Sequence, residues 1–178
     1  MDVQPESLTL VQAAQRGDDS AFELLLEPLL DHGYRLACAM LHDHSAAEDA
    51  VQEAAFRAWQ KVDQLRDPAD MRPWFLTIVA NQCRTLKRSR WWAVVRGAAP
   101  ERIAVAADDV LLEGLELRKA LRSMDEHKRL ILVLHWYLDL PLEEIAAVTG
   151  TSLHAAESRL LRATQELKRR MEAHLGRP

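Results

Sequence analysis

Residues Leu140–Lys168 read LPLEEIAAVTGTSLHAAESRLLRATQELK. Pro141 is suited to open a short helix there, and Gly150 to close it, because glycine takes the positive φ of a helix end at little steric cost. Ser152 then stands where it caps a longer helix, which the apolar period carries to about His174. Ile145, Ala146 and Val148 make one side of the short helix apolar. Leu153, Ala156, Leu160 and Leu167 do the same for the long one. A small residue at Ala146 lets the two axes cross closely. The pattern predicts a helix-turn-helix, whose second helix fits a DNA major groove. Its outward face carries His154, Glu157, Ser158, Arg159, Arg162 and Gln165. Arginines suit phosphate and guanine contacts, and serine suits a phosphate or base edge. Glycine-closed helical hairpins also serve as plain packing units. The Glu-Glu-Ile-Ala and Gly150 spacing, followed by Ser-Arg-Leu and Arg-Ala, favours DNA binding.

Outward from this motif the chain keeps the helical period, and no alternating strand run is present. A first helix is predicted over Leu8–Gln15, with Ser7 as its cap and Gly17 as its stop. A second covers Ala21–Leu41, where Pro28 should kink or split it. A third starts at Ser45, because Ser45 and Glu48 have capping-box spacing. Its apolar stripe is read as Ala47, Val51, Ala54, Ala55, Ala58 and Trp59. Residues Asp63–Met71 hold Pro68 and three aspartates and read as a loop, with Asp70 capping the next helix. That helix buries Trp74, Phe75, Ile78 and Val79. From Trp91 to Ala107 the period dissolves. Asp108 or Asp109 then caps a helix to about Ser123, and Asp125 caps another to about Leu138. The fold class is therefore all-α, with two small helical domains joined by a flexible linker: residues 1–90, a linker 91–107, and residues 108–178.

The 178 residues are 48% hydrophobic and 28% charged, which supports a packed core and excludes a disordered chain. No apolar run approaches the roughly 20 residues of a membrane span, and no apolar leader opens the sequence. Two cysteines, Cys38 and Cys83, form no CxxC pair, so a cytoplasmic protein without disulfide or zinc is expected. Charge is uneven along the chain. Residues 1–70 hold 5 Lys/Arg against 14 Asp/Glu, whereas residues 71–98 hold 6 basic groups and no acid. That asymmetry predicts one cationic and one anionic partner.

The third helix reads AEDAVQEAAFRAW over Ala47–Trp59, with Glu48, Asp49, Gln52 and Glu53 as a compact acidic patch. Alone, the patch reads as a solvated face. It is followed by RPWFLTIVAN, Arg72–Asn81, and this pairing resembles conserved region 2 of bacterial extracytoplasmic-function (ECF, group IV) RNA polymerase sigma factors. The helix-turn-helix resembles their region 4. The two resemblances cover about 21–90 and 115–170, in the family's order.

The resemblance implies an alternative sigma factor that binds core RNA polymerase and directs promoter-specific initiation. The acidic helix would dock on the clamp helices of the β′ subunit through Glu48, Asp49, Gln52 and Glu53. The following loop would capture an unstacked base of the −10 element with Asp63, Gln64, Leu65 and Arg66, offsetting a flipping cost of a few kcal/mol. Asn81 matches the family asparagine near that base, and Arg84, Lys87 and Arg88 (with Arg90) would take phosphates. Region 4 would meet the β flap and read the −35 element, with Ser158, Arg159 and Arg162 on the family's DNA-contacting positions. Two positions depart from the family pattern. Glu157 stands where Lys or Arg is common, and His154-Ala155 replace the usual Gly-Thr. An unusual −35 preference follows, since an acid facing the groove accepts from a cytosine amine or repels phosphate. The partners expected are core polymerase, promoter DNA and an anti-sigma factor, with no membrane insertion.

Trp74 and Trp59 read as core and His135 as a core or interface residue, while the positions of Trp91 and Trp92 suit packing on the first domain, with DNA contact or anchoring of the linker as the other readings. His42 and His44 beside Glu48 and Asp49 lack a second pair at ligand spacing, so neither metal nor other cofactor is expected. No nucleophile–base set, P-loop or dinucleotide fingerprint is present, so the chain reads as a non-enzyme. Two other classes stand beside the sigma reading. One is a helix-turn-helix regulator that works without polymerase, which needs neither an acidic docking helix nor a separate cationic one. The other is a helical metalloenzyme.

Overall fold

The computed structural model describes residues 5–65, 67–95 and 115–175, and every regular element among them is helical. The chain divides into two compact units, Met1–Val105 and Ala106–Pro178. No described helix is long and apolar enough to cross a membrane.

The N-terminal unit holds α1 (Pro5–Gln15), α2 (Asp19–Leu41), α3 (His44–Gln60) and α4 (Met71–Val95). The long α2 packs against the other three, and α3 also packs against α4. Leu36 and Met40 of α2 and Phe75, Leu76, Val79 and Cys83 of α4 fill the centre. From α3 the core receives mostly methyl groups: Ala46, Ala47, Ala50, Ala54 and Ala58 are buried, with Val51. Side chains that small let the α3 backbone lie close to its neighbours. Gly33 does the same for α2, since a β-carbon there would stand 2.9 Å from Cε1 of Phe75.

Several boundaries differ from the sequence reading. Helix α2 begins at Asp19, with the Asp18 carboxylate accepting from the Ala21 amide. It also runs unbroken through Pro28. Pro28 sits on the solvent side of the helix, as does Leu24, the residue whose carbonyl loses its helical donor. Helix α3 is capped by Asp43 and not by the Ser45–Glu48 box. Asp43 adopts an extended backbone, and its carboxylate accepts from the Ala46 amide at 3.0 Å. A charged cap two residues earlier thus gains the helix-dipole term that serine lacks. Within the expected loop lie two 3₁₀ turns, Val62–Gln64 and Pro68–Asp70, the second capped by Asp67. Helix α4 extends to Val95 and takes in Trp91 and Trp92, which the sequence reading assigned to the linker. The remainder of that linker, 96–107, lies outside the described residues. Trp74 is half-buried, whereas Trp59 is not a core residue.

In the C-terminal unit are α5 (Leu115–Arg122), α6 (Glu126–Leu132), α7 (Leu142–Thr149) and α8 (Leu153–Leu175). Asp125 caps α6 as predicted, but that helix ends at Leu132 and passes into a π turn, Val133–Tyr137. His135 on this turn is half-buried, with its ring edge-on to Trp136 at 4.8 Å. The long α8 packs against α5, α6 and α7. Leu130, Ile131, Leu134, Leu140 and Ile145 form the core beneath it, and α8 adds Ala156 and Ala163. A charged clasp ties the far half of α8 to α6. Lys128 Nζ donates to Glu166 at 2.5 Å, and Arg170 donates to the other oxygen of the same carboxylate at 2.7 Å. Arg170 also reaches the Ser123 hydroxyl at 2.9 Å. Helix α7 opens after Pro141 and closes on Gly150 at φ 64°, and Ser152 Oγ accepts from the Ala155 amide. These three positions behave as read from the sequence.

Candidate docking and nucleic-acid interfaces

Because an α-helix turns once in 3.6 residues, burying the alanine side of α3 sends the opposite side outward. Glu48, Asp49, Gln52 and Glu53 are all exposed on that outward side. Glu53 accepts from Arg57 Nε at 2.8 Å, one turn along. On the α2 flank, a shallow hollow of about 460 Å³ is lined by Leu30, Asp31, Tyr34, Glu48, Val51 and Gln52. The Tyr34 hydroxyl is hydrogen-bonded to His44 Nδ1 at 2.9 Å. Burial, aided by the Cys38 thiol and the Glu48 carboxylate, pushes the Tyr34 phenol up to about 12, so it stays neutral beside the acidic patch. His44 is thereby engaged with tyrosine, and no group of three potential ligands is assembled among the described residues.

The predicted base-capture residues are not all presented in the same way. Asp63 and Gln64 are exposed in the first 3₁₀ turn. Leu65 is a correction, because its side chain is 3% exposed and faces the core. Gln15 of α1 holds the turn in that attitude, donating to the Val62 and Leu65 carbonyls at 3.2 and 2.8 Å. Arg66 lies outside the described residues. On α4, Asn81 and Arg88 are exposed, while Arg84 and Lys87 are half-buried. Asn81 Oδ1 accepts from Arg84 Nη1 at 2.9 Å, so these two residues form one polar unit.

On α8, His154, Glu157, Arg159 and Arg162 are exposed and Ser158 is half-buried. Arg162 Nε donates back to the Ser158 carbonyl at 3.0 Å. The sequence reading passed over Leu161, which is 60% exposed. It lies three residues after Ser158 and seven after His154, the spacing that shares a face. It also passed over Phe56 and misplaced Trp59. Trp59 follows Gln52 by seven residues, so the same rule puts it on the outward side of α3, where it is 46% exposed.

Residues 25–93 match the family model for Sigma-70 region 2, and residues 114–167 match the one for Sigma-70, region 4. The RNA polymerase sigma factor NccH of Alcaligenes xylosoxydans is 30% identical over 171 residues, which cover 89% of this chain and 90% of that protein. The chain belongs to the ECF RNA polymerase sigma factors. The ECF sigma factor SigG of Mycobacterium tuberculosis is 30% identical to this sigma factor, over 86% of its chain and 49% of SigG. The probable sigma factor RfaY of Xanthomonas campestris is 36% identical over 72% of the chain and 34% of RfaY. The chain thus spans about a third to a half of the length of these two relatives. Among solved structures, the sigma factor RpoE of Bartonella quintana, in complex with the anti-sigma factor NepR, superposes with a TM-score of 0.70. It is 26% identical, covering 85% of this sigma factor and 96% of that chain. Region 2 carries the acidic face of α3, and region 4 carries the helix-turn-helix of α7 and α8.

Proposed function

We propose that this ECF sigma factor docks on the clamp helices of the polymerase β′ subunit through Glu48, Asp49, Gln52 and Glu53, and so directs core enzyme to its promoters. The observation that carries this reading is the division of charge between surfaces: a carboxylate face on α3, and cationic side chains on α4 and α8. A cationic protein partner and an anionic nucleic acid are then met by different helices. Asp63 and Gln64 border the flipped −10 base, and Asn81, Arg84, Lys87 and Arg88 follow the non-template strand. His154, Glu157, Ser158, Arg159 and Arg162 face the −35 duplex, while region 4 meets the β flap. The region 2 domain extends through Val95, five residues beyond the boundary read from the sequence, and the linker follows it to about 107, before a region 4 domain over 108–178. The protein works in the cytoplasm, where polymerase and promoters are, and it acts as an initiation factor and not an enzyme. An anti-sigma factor holds it inactive by covering these faces, in keeping with the NepR complex of its structural relative. A regulator working without polymerase is the weaker reading, since the region 2 match then has no role.

The test is transcription in vitro. Core polymerase from the host bacterium, with and without the protein, is given fragmented genomic DNA, and RNA starts are mapped. Starts that need the protein and share two spaced motifs support the proposal. Duplex binding without core enzyme, and no added starts, would replace it with the polymerase-independent regulator. In parallel, Asp49→Lys with Glu53→Lys should abolish association with core enzyme at unchanged helical content.

A further inference from the structure

Phe56 and Trp59 stand on the outward side of α3, 52% and 46% exposed. Their rings are stacked, with centroids 5.9 Å apart and planes 26° from parallel. Scattered single apolar residues are ordinary on a protein surface, but two adjoining aromatic rings left in water are costly and mark contact surfaces. The pair continues the acidic face without a break, since Phe56 follows Asp49, Gln52 and Glu53 by seven, four and three residues. The indole is also fixed in place: Trp59 Nε1 donates to Asp19 of α2 at 2.9 Å. A hydrogen bond from N–H to a carboxylate enriches the ring in electrons. Apart from Arg57, which pairs with Glu53, the carboxylates and π-clouds of this face are therefore of one electrostatic sense.

We propose that Phe56 and Trp59 form the aromatic anchor of the docking face, and that the partner surface places an arginine guanidinium across them. The inference rests on the reading of α3 as the polymerase-docking helix. Arginine is the side chain that meets both halves of the face at once, because its planar cation stacks on aromatic rings and pairs with carboxylates. Lysine's compact ammonium can sit over a ring but lacks the planar fork that stacks on it and pairs a carboxylate at the same time. Holding the indole against Asp19 before binding removes an ordering cost, which is what makes such an aromatic residue an anchor. The carboxylates then steer the encounter, and the rings hold the complex.

The experiment measures the affinity of full-length variants for host core polymerase, with helical content and thermal midpoint as fold controls. Phe56→Ala and Trp59→Ala should each weaken binding by roughly tenfold or more. Phe56→Leu separates the chemistry, because it keeps apolar area and removes the π-face. If a guanidinium stacks there, Phe56→Leu loses most of what Phe56→Ala loses. If it binds like the unchanged protein, the cation assignment is overturned. Wild-type affinity in both alanine variants, while Asp49→Lys with Glu53→Lys abolishes binding, overturns the anchor and leaves the docking reading standing. Undiminished binding by the double lysine variant removes the docking reading itself.

Discussion

In the N-terminal unit, α3 meets its neighbours through alanines, whereas in the C-terminal unit α8 meets its neighbours through Ala156 and Ala163 and then through the Lys128–Glu166–Arg170 clasp. The difference determines how much of each helix is left for partners. An alanine stripe buries little but methyl groups of α3, so Glu48, Asp49, Gln52, Glu53, Phe56 and Trp59 all stay exposed along the helix. On α8 the clasp commits Glu166 and Arg170 to the fold. The DNA-facing positions proposed on α8 lie between His154 and Arg162. On the proposed reading, α3 serves its partner along its length, and α8 is divided into a reading half and a holding half.

The largest effect should come from breaking the first arrangement at its centre. Phe75→Ala empties the fully buried site against Gly33 and should cost about 3–5 kcal/mol. Denaturant unfolding followed by helical signal should then show the N-terminal transition moved and the C-terminal one in place, since each unit has its own core. Arg162→Ala probes the reading half of α8 and should weaken −35 duplex binding by roughly 1–3 kcal/mol without altering the thermal midpoint. An unchanged promoter profile would remove Arg162 from the interface. Gly150→Ala tests the joint between α7 and α8. Nothing lies within 4 Å of the added methyl, so the cost is one of backbone alone, about 1–2 kcal/mol at φ 64°. It should appear as a lower melting temperature of the C-terminal unit.

The smallest effect concerns the holding half. Hydrogen bonds from Lys128 and Arg170 keep the Glu166 carboxyl below the usual carboxylate range. The folded form therefore takes up that proton less readily than the unfolded chain. Its stabilising contribution is complete above the ordinary carboxylate pKa and is lost as pH falls through the lowered folded value. Glu166→Gln should flatten the acid limb of the C-terminal unit's melting curve and leave the N-terminal unit's acid limb as it was.

The helix-turn-helix was legible because Pro141, Gly150 and Ser152 punctuate it locally, and each acts through its own backbone. The alanine side of α3 was legible for the same kind of reason, as a helical period. What escaped depended on partners far along the chain or on reading residue type ahead of position. Leu65 lies in a segment of turn-forming composition, yet Gln15, fifty residues earlier, holds that turn with the leucine inward. The π turn at Val133–Tyr137 keeps the apolar character of α6 and gives no local sign of its change of pitch. Trp59 continues the stripe of Val51, Ala54, Ala55 and Ala58 and so reads as core, although its spacing from Gln52 equally fits the outward side, where it lies. Phe56 carries no periodic signal of its own, and its stacking on Trp59 shows only in the structure.

Cys38 on α2 and Cys83 on α4 are 5% and 0% exposed, and both belong to the N-terminal unit. A thiol reagent reaches them only when these helices part, so the rate of labelling in native buffer reports how often the unit opens. The protein thus carries a chemical clock in one half and none in the other. Any partner that clamps α2 against α4 will slow that clock, and a ligand acting on region 4 alone will leave it running at its own rate.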